Sequence, residues 1–299
     1  MTTFVRLPDA QLLPHVLTYR RALAARRRQT IAAMIVLGLA IIAAIFMAEV
    51  DVLKLVANFT NFTSYLQRIF HFDSGPYTGQ LVVLHPGFGT DDWFWGITKW
   101  LKLLGETLLI AYLGTAIGAA FAFIFCFHAA DNLGKSRTTR WITKRLLEFC
   151  RTVPELVFAL IFVVAFGVGA LAGVLALAIH TAGALGKLFS EVVENIDMKP
   201  ADGVIASGGS WTEMVRFGVL PQILSNFTSY GLLRFEINVR GASIMGFVGA
   251  GGIGQELLTA IRKFYYADVS AILVLIIVTV MVIDVVTEYV RHHLTGAGR

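Results

Sequence analysis

Apolar positions in this chain fall in long unbroken blocks, not in the alternation of half-buried strands. A helix needs about 20 mostly apolar residues to cross a hydrocarbon core about 30 Å thick. Six blocks of roughly that size occur, at 30–48, 104–128, 153–170, 171–190, 223–248 and 268–290. The third and fourth form one stretch too long for a single crossing, and Gly167, Gly169 and Gly173 mark a break in it because glycine relaxes the backbone. The pattern predicts an all-α, polytopic membrane protein with six transmembrane helices. Its expected organisation is a basic N-terminus at 1–29, a first span at 30–48, an extracytoplasmic segment at 49–103, a core at 104–290 with a loop at 198–222, and a tail at 291–299.

Composition supports the same class. The chain has 299 residues, of which 56% are hydrophobic and 15% charged, whereas soluble domains carry about 25% charged residues. A net charge of +5 raises nucleic acid as a partner, but the distribution of basic residues excludes it in favour of membrane lipid. Arg20, Arg21, Arg26, Arg27 and Arg28 precede the first block. Lys135, Arg137, Arg140, Lys144, Arg145 and Arg151 follow the second, and Arg291, His292, His293 and Arg299 follow the sixth. Positive loops stay in the cytoplasm, so all three clusters put the N- and C-termini inside. The first block is expected to remain attached as a span, since its flank is too long for a signal peptide and no A-x-A site follows. Trp93, Trp95 and Trp100 then read as interfacial anchors on the outside. Asn58, Asn61 and Asn226 match a glycosylation acceptor whose context gives no support.

Motifs for soluble chemistry fail in their surroundings. Gly249, Gly251 and Gly254 satisfy G-x-G-x-x-G, but a dinucleotide fingerprint needs a preceding strand, and a membrane block stands there. A glycine-rich external turn or re-entrant segment is expected instead. Gly134-Lys135-Ser136 resembles the end of a P-loop, yet Ala129 replaces its first glycine, so no ATP site is expected on this chain. Cys126 and Cys150 make no disulfide framework or metal spacing, and the sequence shows no catalytic residue and no metal site.

The loop at 198–222 carries helix signals of its own. Asp202 can cap a short helix at 203–207, and Gly208 and Gly209 can end it in the left-handed conformation. Ser210 and Glu213 form a capping box for a second helix from Trp211 to Leu220, where Pro221 is expected to stop it. On that helix Trp211, Met214, Val215 and Gly218 make an apolar stripe that either docks a partner or packs under the bundle.

From Asp202-Gly203-Val204 through Gly208 to Gly218-Val219-Leu220-Pro221, this loop resembles the EAA loop of binding-protein-dependent ABC transporter permeases, with Asp, Gly and Val in place of Glu-Ala-Ala. Thr152-Val153-Pro154-Glu155, His180-Thr181-Ala182-Gly183, Arg234 to Arg240 and Gly246 to Gly254 narrow the resemblance to phosphonate-uptake (PhnE-like) permeases. The resemblance implies a MetI-like bundle in a homodimer, two copies of a separate ATPase that holds ATP and magnesium, and an extracytoplasmic binding protein for phosphonate, phosphate or phosphite. It implies no cofactor on this chain. Asp202, Gly208, Ser210, Trp211, Glu213, Met214, Val215, Leu220 and Pro221 become candidates for coupling to the ATPase.

The fifth block places Arg234, Glu236, Asn238 and Arg240 within the bilayer, counting about 1.5 Å per residue from Pro221. Charges at such depth face a bundle interior or an aqueous cavity. Glu236 and Arg240 are spaced to pair, leaving Arg234 for an oxyanion that its guanidinium matches bidentately, or for a structural ion-pair network. His180 suits a hydrogen bond to a neighbouring helix, and Glu155 suits a helix N-terminus after Pro154. Two other classes compete: a proton-coupled secondary transporter using Glu236 and His180, and a membrane enzyme acting on lipid phosphate.

Overall fold

The structure, a computed structural model, describes residues 9–49, 51–133 and 136–296, so Gly134, Lys135 and Arg299 lie outside the described residues. The chain divides into two compact units, Met1–Ser64 and Tyr65–Arg299. The first holds α1 (Asp9–Met47), α2 (Val52–Ala57) and the start of α3 (Phe59–Ile69). The block at 30–48 is thus the second half of a 39-residue helix. Its arginine flank is helical too, because Arg, Ala and Leu are all strong helix formers. Ile31, Ile35, Leu39 and Ile42 are exposed, as lipid-facing residues are.

In the second unit, α4 (Ile97–Ala129) and α7 (Ala170–Glu194) run side by side in the same direction. A methyl group at Gly114 would stand 2.5 Å from Leu177 Cβ, and one at Gly118 would stand 2.6 Å from Thr181 Cβ. The Gly114-x-x-x-Gly118 pair therefore admits a helix of the same chain. Between them in sequence come α5 (Arg137–Thr152) and α6 (Glu155–Phe166), bent by 85° at their junction. Pro154 has no N–H to donate and holds Val153 at ψ 124°, outside the helical region. The third expected span is corrected accordingly: α6 has 12 residues, about 18 Å of helix, too short to cross by itself, and reaches the length of a span only when joined with α5. Gly167 (φ +89°) and Gly169 (φ +150°) make the turn into α7.

After α7 come α8 (Lys199–Ala206), α9 (Trp211–Glu213), a wide π-helical turn at Met214–Val219 and α10 (Leu220–Met245). Pro221 does not end the second loop helix, contrary to expectation. The π turn just before it widens the backbone where the proline ring would otherwise strike the preceding turn, and the helix continues into α10. α11 (Ile253–Arg262) follows at 46°, and α12 (Tyr266–Gly296) closes the unit. Four helices are long and apolar enough to cross a membrane, and six crossings result when each bent pair is one span.

The turn at 249–252 lies toward one end of the unit, against α4 and the start of α7. Gly249, Gly251 and Gly252 all have positive φ, and Ile253 N donates to Thr107 Oγ1 at 2.8 Å. No strand precedes it among the described residues, which disposes of the dinucleotide fingerprint. Nearby, Trp93 and Trp100 are 9% and 1% exposed, so they are core residues and not interfacial anchors. Trp93 Nε1 donates to Ser270 Oγ at 2.9 Å, giving its polar edge a partner inside the fold. At the opposite end Lys144 Nζ bridges Asp131 at 2.8 Å and Glu194 at 3.1 Å. The hydrogen bond from Lys144 holds the Asp131 carboxyl below the usual carboxylate range.

Candidate functional site: a polar centre and a helical elbow

The polar centre lies where the α5–α6 break meets α7 and α10. Residues 234, 238 and 241 are spaced i, i+4 and i+7, so one face of α10 presents Arg234, Asn238 and Gly241. Asn238 is 1% exposed; its Nδ2 donates to Thr115 Oγ1 at 2.8 Å and to Thr181 Oγ1 at 2.9 Å, tying α10 to α4 and α7. Arg234 Nε donates to the same Thr181 oxygen at 3.3 Å. Its Nη2 donates to His180 Nδ1 and lies 3.6 Å from Glu155 Oε2 on α6. His180 Nδ1 is 3.2 Å from that carboxylate oxygen as well. This nitrogen can accept from Arg234 or, carrying a proton, donate to Glu155; it cannot do both.

Arg234 and Asn238 therefore meet through Thr181. Glu236 and Arg240 bond to each other on another face of α10, where Arg240 keeps half its side chain exposed. No hydrogen bond or ion pair joins the two pairs among the described residues. Sequence reasoning gave Glu155 only a helix-capping role, whereas the structure sets it at the α5–α6 break within reach of His180 and Arg234. Thr181 enters the sequence reading only within the His180-Thr181-Ala182-Gly183 motif of the resemblance, and neither it nor Thr115 is marked there as a partner of Asn238.

The elbow is built from α8 and α9 with the π turn. Met198, not Asp202, is the N-cap of α8; Asp202 sits within the first turns, its N–H bonded to Met198 O at 2.8 Å. The reason is Pro200, which favours the first turn and lets the helix start earlier. Gly208 N donates to Ile205 O at 2.9 Å and Gly209 N to Val204 O at 3.0 Å, the paired bonds of a Schellman ending, with Gly208 at φ +85°. The capping box is present: Ser210 Oγ accepts from Glu213 N at 3.4 Å, and Glu213 Oε2 accepts from Ser210 N at 2.7 Å.

Met214 and Gly218 are buried, while Trp211, Val215 and Leu220 pack against the same core cluster. A methyl group at Gly218 would stand 2.7 Å from Ala201 Cα, so glycine here lets α8 lie directly on the π turn. The opposite side of the elbow is exposed and carries Ile205 and Phe217, which sequence reasoning missed because they fall off the stripe. Between α8 and the capped helix start lies an open groove of about 520 Å³ lined by Pro200, Val204, Gly208, Glu213 and Phe217 among others.

Residues 114–296 match the family described as "Binding-protein-dependent transport system inner membrane component". The chain is 38% identical over 200 residues to the phosphite transport system permease protein PtxC of Stutzerimonas stutzeri, covering 67% of this chain and 73% of that protein. It is 36% identical over 194 residues to the phosphate-import permease protein PhnE of Mycolicibacterium smegmatis, covering 65% of this chain but only 36% of that longer protein. Among solved structures, the MetNI methionine ABC transporter in inward facing conformations shares the fold with a TM-score of 0.57 at 17% identity, over 67% of this chain and 96% of that one.

Proposed function

This chain belongs to the binding-protein-dependent transport system inner membrane components, the multi-pass permease subunits of ABC transporters, and from that premise we propose that it forms the pathway of an importer for phosphonate, phosphite or phosphate. The relatives named for phosphite and phosphate support the substrate class. The observation that carries the reading is Arg234. Its side chain is 12% exposed among α6, α7 and α10, and its one ion-pair partner among the described residues, Glu155, is 3.6 Å away. A guanidinium kept at that depth with a loose counter-ion is suited to bind a tetrahedral oxyanion.

ATP hydrolysis belongs to a separate subunit, in two copies, gripping the elbow of each protomer in a homodimer. Ser210 and Glu213 stiffen the start of a helix that runs without interruption into α10, so a push on the elbow reaches Arg234 along one element. An extracytoplasmic binding protein delivers the anion at the end that carries Gly249–Gly252. Glu236, Asn238 and Arg240 complete the proposed pathway.

The test is Arg234→Gln in the assembled transporter. Phosphite uptake and substrate-stimulated ATPase activity should both fall at least tenfold with the protein still inserted. Wild-type uptake by that variant would remove Arg234 from the pathway.

A further inference from the structure

Arg234 needs a counter-ion whenever no substrate is present, because an unpaired cation at this depth carries a desolvation cost that a carboxylate offsets. Glu155 supplies the charge from α6, with its Oε2 3.6 Å from Arg234 Nη2. That separation gives Coulomb attraction without a hydrogen bond. The two groups belong to different helices, and Glu155 sits at the 85° break, where α6 has no helical continuity with α5 to hold it. Its carboxylate keeps 27% of its side-chain surface and has a second neighbour in reach, His180 Nδ1 at 3.2 Å. Arg234 Nη1 has no partner among the described residues.

We infer that Glu155 is a resident stand-in for the transported anion: it occupies Arg234 in the empty pathway and is displaced when an oxyanion binds. This rests on the pathway reading above. Two anions share one guanidinium. The incoming one forms short charge-assisted bonds of about 2.7–2.9 Å, which the resident one lacks. Displacement releases α6 from α10, so arrival of substrate is registered as a change in contact between a broken span and the helix that continues from the elbow. Glu155 acts here as a positioning residue.

The experiment uses the full chain copurified with its ATPase partner in nanodiscs, with inorganic phosphite as the probe and binding followed by calorimetry. Glu155→Gln keeps the side-chain shape and removes the competing charge, so phosphite should bind about tenfold tighter or more than to wild type. Glu155→Asp keeps the charge but withdraws it by one methylene, and its affinity should fall between the two. The gain should vanish in Glu155→Gln combined with Arg234→Gln. Equal or weaker binding by Glu155→Gln, no detectable binding by it at millimolar phosphite, or any other ranking of the three side chains overturns the inference. That failure is distinct from failure of the pathway itself, which is read from uptake by Arg234→Gln alone.

Discussion

Gly241 on α10 leaves the space that the carboxylate of Glu155 fills: a methyl group at 241 would stand 2.9 Å from Glu155 Oε1. Gly231, three turns earlier on the same helix, has open space at the corresponding position. Alanine at 231 should be neutral or stabilising by up to about 1 kcal/mol through helix propensity. Alanine at 241 meets only the tip of a flexible side chain, so the small cost of turning Glu155 aside offsets the same gain in helix propensity and this variant should rank below alanine at 231. Thermal melts of the two purified variants check the ranking, and equal midpoints would show that the carboxylate does not need this gap.

A second prediction concerns the glycine-rich turn. A methyl group at Gly254 would lie 1.9 Å from Ser243 O, and one at Gly252, already at φ +77°, would lie 2.4 Å from Thr107 Oγ1. Backbone oxygen and a helix on the far side cannot both give way. Gly254→Ala should leave little monodisperse protein after detergent extraction, whereas Gly105→Ala, which meets nothing within 4 Å, should extract like wild type. Normal yield of Gly254→Ala would contradict the close packing of this turn.

At the elbow, burial separates two roles. Met214 is 4% exposed, so Met214→Ala should lower thermal stability by about 2–5 kcal/mol wherever the protein is assayed. Phe217 and Ile205 are 62% and 52% exposed, so Phe217→Asp and Ile205→Asp should leave the isolated chain as stable as wild type while reducing copurification of the ATPase. Unchanged copurification would mean that the ATPase grips another face.

Much of this was legible in the sequence, and the exceptions share a cause. Long apolar blocks, the Ser210 and Glu213 capping box and the left-handed Gly208 are local signals, and each is realised in the structure. Pro154 and Pro221 show where local rules run out. Both are helix breakers by propensity, yet the first bends a span by 85° and the second is absorbed by a π turn, because packing on α7 and α8 decides the outcome. Trp93 and Trp100 look like interfacial residues until α11 and α12 cover them. The Glu155, His180 and Arg234 cluster joins three helices, and nothing in the spacing of one helix announces a partner on another.

The final prediction separates the two threonines of the polar centre. Thr181 Oγ1 accepts from both Arg234 Nε and Asn238 Nδ2, whereas Thr115 Oγ1 accepts from Asn238 alone and donates to Ala111 O at 2.6 Å. Valine has nearly the volume of threonine, so either substitution tests the hydroxyl and leaves packing close to intact. Thr115→Val takes one acceptor from Asn238, which keeps Thr181, and should cost about 1 kcal/mol. Thr181→Val takes an acceptor from a buried amide and from a buried cation together, and hydrogen bonds to charged groups are worth about 1.5–3 kcal/mol. It should therefore destabilise the protein more than Thr115→Val and also lower phosphite uptake, since Arg234 loses one of the two hydrogen bonds that orient its guanidinium. Melting curves and uptake measured on both variants decide it: Thr115→Val matching or exceeding Thr181→Val in both would show that Asn238, not Arg234, is the group the shared hydroxyl serves.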